Sequence, residues 1–314
     1  MKMKDIRYLP EGTRLNTPEN GLYTSSESGL AKARASGAIL EGRALECSPR
    51  DMSLLVDLGG SFGVIPREEA GRGEGGIPVR DIAVITRVSR AVCFKVVALP
   101  GERAPYAILS RRAAQEECEE NYLSRLTPGD VIPAAVTHIE PFGAFVDIGC
   151  GAVSLLTVDT VSVSRIASPA DRFSVGDAVS AVVRSRDPET GRIFLTHREL
   201  LGTWEENARE IKPSATVRGI VRSVESYGVF VELFPNLAGL AEYKEGVAPG
   251  DPCAVFIKSI IPEKMKVKLV LVDCGGGEVR IPVRYYLDAE NTRRIDRWRY
   301  SPACCPRVIE TVFA

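Results

Sequence analysis

The chain has 314 residues and is almost neutral, with 40 Lys and Arg against 41 Asp and Glu and a formal net charge of -1. So even a balance argues against tight, purely electrostatic binding to nucleic acid, and any cationic surface has to be local. No apolar run reaches the roughly 18 to 20 residues of a membrane-spanning helix, and Met1-Lys2-Met3-Lys4-Asp5 leads into no hydrophobic signal segment, so a cytoplasmic protein with no membrane partner is expected.

Residues 1–36 read as an N-terminal arm in which Ser28 to Ser36 form a short helix. A first unit, 37–112, holds apolar stretches at strand spacing around Gly42-Arg43-Ala44-Leu45 and Met52-Ser53-Leu54-Leu55-Val56-Asp57-Leu58-Gly59. Gly63-Val64-Ile65 follows, and later strands are expected at Ile82-Ala83-Val84-Ile85 with Val92-Cys93-Phe94-Lys95-Val96, then at Ala107-Ile108-Leu109-Ser110. Gly71-Arg72-Gly73-Glu74-Gly75-Gly76 has the look of a phosphate loop. It lacks the Lys-Ser/Thr ending and a following helix, and Pro78 stands in the way, so it reads as a hairpin loop. Arg111 to Ser124 is rich in Ala, Glu, Gln and Arg and predicts a linker helix, placed at 113–125 between units and stopped by Pro128 and Gly129. The acids Glu116, Glu117, Glu119 and Glu120 are concentrated in it.

Two further units, 126–200 and 212–273, repeat one pattern. Phe142-Gly143-Ala144-Phe145-Val146-Asp147 in one is echoed by Tyr227-Gly228-Val229-Phe230-Val231-Glu232 in the other. Before the phrase stand Val136-Thr137-His138-Ile139 and Gly219-Ile220-Val221-Arg222-Ser223-Val224. After it come a glycine-bearing turn and another apolar stretch. Gly176-Asp177 or Gly250-Asp251 then leads into a fourth strand, and Ile193-Phe194-Leu195-Thr196 or Val267-Lys268-Leu269-Val270 forms a fifth. Five short strands with turns between them predict a small closed barrel, and repetition predicts an all-β array of three, the first a weaker copy. Between the last two units, 201–211 is a second helical linker. Glu199 to Asn207 is its amphipathic stretch, Pro213 ends it, and Trp204 is expected to pack between modules.

Residues 274–314 are a tail outside the repeat. Gly275-Gly276-Gly277 predicts a flexible turn, and Val279 to Tyr286 a strand pairing with the third barrel or its neighbour. In Arg293-Arg294-Ile295-Asp296-Arg297-Trp298-Arg299-Tyr300 cations and aromatics alternate, which suits either an extended RNA path or a tail locked against the barrel.

Two aromatics three apart, split by a glycine, suit a bulged strand presenting flat rings beside each other, a platform for unpaired bases. A base stacked on an aromatic is worth about 1 to 3 kcal/mol and tolerates sequence change, and duplex RNA hides its bases, so single strands are the expected target. Arg165, Arg184, Arg186 and Arg192, with Lys258, Lys264, Lys266 and Lys268, are candidates to neutralise phosphates beside the rings. The first unit has Met52 and Leu55 where the others carry rings, so its frame is kept without a stacking face.

The pattern Ile139 with Phe142 to Asp147, Val175-Gly176-Asp177-Ala178-Val179 and Arg192-Ile193-Phe194-Leu195-Thr196 resembles the RNA-binding domain of the ribosomal protein S1 family. The resemblance is specific in the last two units, extends to the first, and covers about three quarters of the chain. It implies three oligonucleotide-binding five-stranded barrels in a protein similar to the short bacterial relatives of that family. Carried over residue by residue, it makes Phe142, Phe145, Asp187 and Arg192 in the second unit, and Tyr227 and Phe230 in the third, the nucleic-acid contacts. In the third, the lysines of the equivalent turn, Lys264 and Lys266, take the cationic role, with Lys258 a further candidate nucleic-acid contact. A histidine usual just before the third strand is absent, with Ser154 and Glu242 standing there.

Eight cysteines are scattered without Cys-x-x-Cys pairs; Cys47, Cys93, Cys150 and Cys253 read as small buried hydrophobes, and Cys304-Cys305 with His138 and His197 make a poor metal set. No nucleophile elbow or His-Glu-x-x-His motif is present, and no room remains for a catalytic domain. The expectation is a non-catalytic, monomeric protein without cofactor or metal that binds single-stranded RNA and presents messenger RNA in translation. Its first barrel faces protein, in particular the small ribosomal subunit. The competing reading is a scaffold or regulator that recognises protein partners through its barrels.

Overall fold

The computed structural model of the chain describes residues 7–73, 77–275, 280–289 and 291–313. Among them, strands dominate and close into three five-stranded barrels, as the repeated pattern predicts. The chain divides into two compact units: Met1–Leu126 with Pro133–Ala135 and Asp147–Val153, and the rest.

In the first unit, α1 (Pro18–Thr24) starts where the Thr17 hydroxyl accepts the Asn20 N–H, with proline at the first helical position. The expected helix follows as α2 (Glu27–Ser36), capped by Ser26 and ended by Gly37 at φ 65°. Barrel 1 consists of β1 (Leu40–Cys47), β2 (Leu54–Asp57), β3 (Phe62–Ile65), β4 (Ala91–Ala98) and β5 (Ala107–Ser110). Leu54, Val56, Ile65, Phe94 and Leu109 fill it. The strand expected at Ile82–Ile85 is instead a helix, α3 (Asp81–Ile85), that buries Val84 alone and leaves Ile82 and Ile85 exposed. Its apolar residues run together rather than alternate, and β4 already closes the sheet onto β1 and β5. In the glycine-rich stretch read as a hairpin loop, residues 74–76 lie outside the described residues. The linker helix is α4 (Arg111–Asn121), begun by the Ser110 hydroxyl accepting the Ala113 N–H and followed by a 3-10 turn at Leu123–Arg125. Its buried Arg111 grips Glu11 with two parallel bonds of 2.7 and 3.0 Å.

Barrel 2 is built from β6 (Val131–Glu140), β7 (Gly143–Asp147), β8 (Val153–Thr157), β9 (Ala178–Arg186) and β10 (Ile193–Thr196), with one helical turn, α5 (Val158–Val161), after its third strand. The expected amphipathic connector is a 3-10 turn at Arg198–Leu201 and then α6 (Trp204–Ala208), which opens with a capping box between Thr203 and Glu206. Barrel 3 follows as β11 (Thr216–Glu225), β12 (Gly228–Phe234), β13 (Leu237–Ala241), β14 (Pro252–Ile261) and β15 (Lys266–Cys274). In every barrel the fifth strand runs parallel to the third and antiparallel to the fourth, which closes the wall and leaves no free edge. Trp204 joins the apolar core of barrel 3 with Val231, Leu237, Trp298 and Tyr300.

Of the strand expected at Val279–Tyr286, the described part, Arg280–Tyr286, forms none. Gly276, Gly277 and Val279 lie outside the described residues, and Arg280–Tyr286 has no ladder partner. Side-chain bonds hold it instead. His197 is fully buried, its Nδ1 donates to the Val161 carbonyl at 3.0 Å, and its Nε2 accepts from the Tyr285 hydroxyl at 3.2 Å. That hydroxyl oxygen accepts the Ser180 N–H at 3.0 Å. Further on, β16 (Arg297–Arg299) pairs with β17 (Glu310–Val312). Alternation then does the sorting: Trp298 and Tyr300 turn inward, and Arg297 turns out to pair with Glu310. The Tyr300 hydroxyl donates to the Asn236 carbonyl at 2.8 Å, so Trp298 and Tyr300 serve packing.

Candidate nucleic-acid interface

Residues directly opposite one another on neighbouring strands share a face of the sheet. In barrel 3, Ser223 on β11 stands opposite Phe230 on β12, Phe230 opposite Leu240 on β13, Leu240 level with Lys268 on β15, and Lys268 opposite Ser259 on β14. These five side chains form one row across the outer wall. A bulge on β11 leaves Arg222 as the extra residue, and its guanidinium reaches the buried Glu232 carboxylate. Tyr227, 67% exposed in the β11–β12 turn, meets Phe230 edge-on, with ring centres 6.2 Å apart and planes at 88°.

The glycine inside the repeated phrase has a steric reason. Gly228 has φ +153°, and a Cβ there would lie 2.4 Å from the Ala241 carbonyl oxygen. At Gly143 a Cβ would lie 2.9 Å from both a Leu155 methyl and the Leu156 carbonyl oxygen. Both glycines let the second strand press against the third. The phrase's acids, Asp147 and Glu232, are buried. Asp147 accepts the N–H groups of Glu11, Gly149 and Gly151, and burial pushes its carboxyl up to about 7.

Barrel 2 repeats the row with different chemistry. Phe142 is 55% exposed and Phe145 half-buried, edge-on at 6.1 Å and 89°. The rings stand beside each other in both barrels, with their planes at right angles. Phe145 gains a second ring neighbour in His138 on β6, 6.0 Å away and within 29° of parallel, whose Nε2 lies 2.7 Å from Glu140 Oε1. Leu155 on β8 is level with Phe194 on β10, and Phe194 is opposite Ser185 on β9. Phe194, 36% exposed, thus holds the place of Lys268. Neither His138 nor Phe194 lies in the repeated aromatic phrase that marks the contacts in the sequence. The signal for Phe194 was its position between the buried Ile193 and Leu195 on an alternating strand.

The contacts inferred around the last turn are more scattered. Asp187 accepts the N–H groups of Glu189 and Thr190 at 2.9 and 3.0 Å, which build the turn and hold its carboxyl below the usual range. Arg192 is exposed beside it. Lys258 occupies a bulge on β14, Lys264 a 3-10 turn, and Lys266 starts β15 two residues before Lys268 on the same outer side. All are exposed. Of the cations, Lys268 shares the row with Phe230.

The position of the missing histidine needs correction in barrel 2. Gly143 abuts Leu155 and Leu156 as Gly228 abuts Leu240 and Ala241, so Thr157, not Ser154, corresponds to Glu242. Ser154 is buried within β8, and its hydroxyl donates to the Ile193 carbonyl at 2.5 Å. In barrel 1 the equivalent row is Glu46, Leu55, Val64 and Ile108, without a ring, and Met52 sits in the preceding turn at φ 57°. Cys93, Cys150 and Cys253 are buried and Cys47 half-buried, as small hydrophobes are.

Closed five-stranded barrels of this connectivity, repeated along one chain, define a protein of tandem oligonucleotide-binding barrels. Residues 125–198 match the family model of the S1 RNA binding domain. The chain is 33% identical over 178 residues to small ribosomal subunit protein bS1 of Leuconostoc lactis, covering 52% of this chain and 41% of that one. With the bS1 homolog of Bacillus subtilis strain 168 it shares 31% over 200 residues, covering 62% and 50%. With bS1 of Staphylococcus aureus strain COL it shares 34% over 196 residues, covering 60% and 49%. Residues 125–198 are thus similar to an S1 RNA binding domain, and the chain is similar to the bS1 proteins over about half to three fifths of its length. It spans about half the length of the curated relatives it matches.

Proposed function

We propose that the chain is a non-catalytic, S1-like RNA-binding protein of the translation machinery, working in the cytoplasm. In this reading it holds single-stranded RNA, messenger RNA in particular, on the outer rows of barrels 2 and 3. The carrying observation is the ring pair at the same place in both barrels, one ring exposed and one half-buried, Phe142 with Phe145 and Tyr227 with Phe230. The family match over barrel 2 supports it. Perpendicular rings suit one base laid on a face while the second ring bounds its edge. Arg192 in barrel 2, and Lys258, Lys264, Lys266 and Lys268 in barrel 3, are placed to meet phosphates. Barrel 1, with Glu46, Leu55, Val64 and Ile108 on its row, has no ring at that place and suits a protein contact such as the small ribosomal subunit.

Fluorescence anisotropy with a short unstructured RNA tests this reading. Binding is expected to fall with salt and to need the rings of barrels 2 and 3. Absence of binding at low salt would leave the protein a scaffold recognising protein partners.

A further inference from the structure

Phe194 and Lys268 stand at the same place in two barrels of one architecture, each level with a leucine of the third strand and opposite a serine of the fourth. The rows differ at two places only: His138 for Ser223 on the first strand, and Phe194 for Lys268 on the fifth. At the shared places stand Phe145 or Phe230, Leu155 or Leu240, and Ser185 or Ser259. A strand spacing of about 4.8 Å puts the fifth-strand residue about 10 Å from the central phenylalanine, beyond the reach of a base lying on that ring. It therefore addresses a different part of the ligand.

We propose that the two rows read different parts of an RNA strand. Barrel 2 takes bases along its whole row, with His138 widening the Phe145 platform and Phe194 receiving a further base. Barrel 3 takes a base on Phe230 and a backbone phosphate on Lys268. This rests on the RNA-binding reading above and assigns residues within it. Ring chemistry carries the division: a phenyl face stacks on any base but cannot neutralise charge, whereas an ammonium on an exposed wall attracts phosphate and offers no flat surface. His138 fits the platform because its side chain is 61% exposed and its ring lies within 29° of the Phe145 plane.

The test is the affinity of the intact chain for a labelled oligouridylate at several salt concentrations. Phe194→Ala is expected to weaken binding by about fivefold or more, with the logarithmic salt slope unchanged. His138→Ala is expected to weaken it in the same manner. Lys268→Ala is expected to make the slope shallower by about 0.7, and Phe194→Lys to make it steeper by a similar amount. Phe194→Trp is expected to retain binding, which separates loss of the ring from loss of the fold. An equal thermal midpoint for Phe194→Ala is expected because the side chain stands on the outer wall. If Phe145→Ala weakens binding while Phe194→Ala stays within about twofold of the parent, or Lys268→Ala leaves the slope unchanged, the division is wrong. If Phe145→Ala itself leaves affinity intact, the RNA-binding reading falls, and the division with it.

Discussion

Arg172 donates to the carboxylate of Glu232, and both side chains are wholly out of solvent. Arg222 shares the same carboxylate and reaches Asp171 at 3.1 Å, so two guanidiniums converge on one buried acid. Burial pushes the Glu232 carboxyl up, against the pull of the two guanidiniums. Arg172 keeps Nε and Nη1 buried without a partner among the described residues. Such a cluster contributes little net stability, yet breaking it strands a charge.

Glu232→Leu alone is therefore expected to destabilise the protein by about 3 to 5 kcal/mol, because it leaves Arg172 buried and unpaired. Adding Arg172→Met should recover much of that loss, as buried ion pairs often exchange for packed apolar residues at little cost. Urea denaturation of the two single variants and the double variant measures the coupling. Additive effects would show that the pair does not act as a unit.

For the rings, Phe142→Ala with Phe145→Ala is expected to weaken RNA binding by about 1 to 3 kcal/mol per stacked base, and Tyr227→Ala with Phe230→Ala likewise. Met52→Ala with Leu55→Ala should leave affinity unchanged. Titration of one labelled RNA against the three double variants decides the matter. An equal loss in the barrel 1 variant would contradict its assignment as a protein-facing module whose outer row carries no ring.

His197 carries a pH prediction. Burial pushes its imidazole down from 6.5 to about 4, and the neutral ring donates to Val161 while accepting from Tyr285. A folded-state value below the unfolded one means the unfolded chain binds more protons between the two. Its stability contribution is thus complete above about pH 6.5 and is lost as pH falls towards 4, by about 3 kcal/mol in all. The His197 ring resonance should not titrate between pH 8 and 5. Stability of His197→Gln measured against the parent should show a difference that shrinks over the same acid range. A ring that titrates near 6.5 would mean the Tyr285 contact does not hold it neutral.

Gly228→Ala should destabilise the chain by about 1 to 3 kcal/mol, through a strained backbone and a Cβ 2.4 Å from the Ala241 carbonyl oxygen. Gly246→Ala is the control, since its φ is also positive, at +80°, but nothing lies within 4 Å of the added methyl. Thermal unfolding of the two compares strain plus collision with strain alone. Equal losses would remove the steric account of the phrase's glycine.

Much of the architecture was legible because strand alternation and turn glycines repeat at matching places. Gly143 and Gly228 within the same phrase marked the second strand of two barrels. Misreadings came where short apolar runs lack a period. Ile82–Ile85 looked like a strand and coils as α3, since the barrel has no edge left to pair it. The tail's Trp298 and Tyr300 allowed two readings until β17 showed which face was inside. The resemblance sets Ser154 beside Glu242 at the place of the missing histidine, and the close approach of Gly143 to Leu156 moves that equivalence to Thr157.

By itself the sequence determined that there are modules, where most of their strands lie, and which of them carry the aromatic pair. Those properties reside in local periodicity and in residues a few positions apart. Tertiary structure alone decided which outward side chains share a wall. Phe194 meets the row of Phe145, and Lys268 that of Phe230, because the fifth strand returns parallel to the third after a long excursion. A one-residue change in that register would turn either side chain into the core, and no local pattern specifies it.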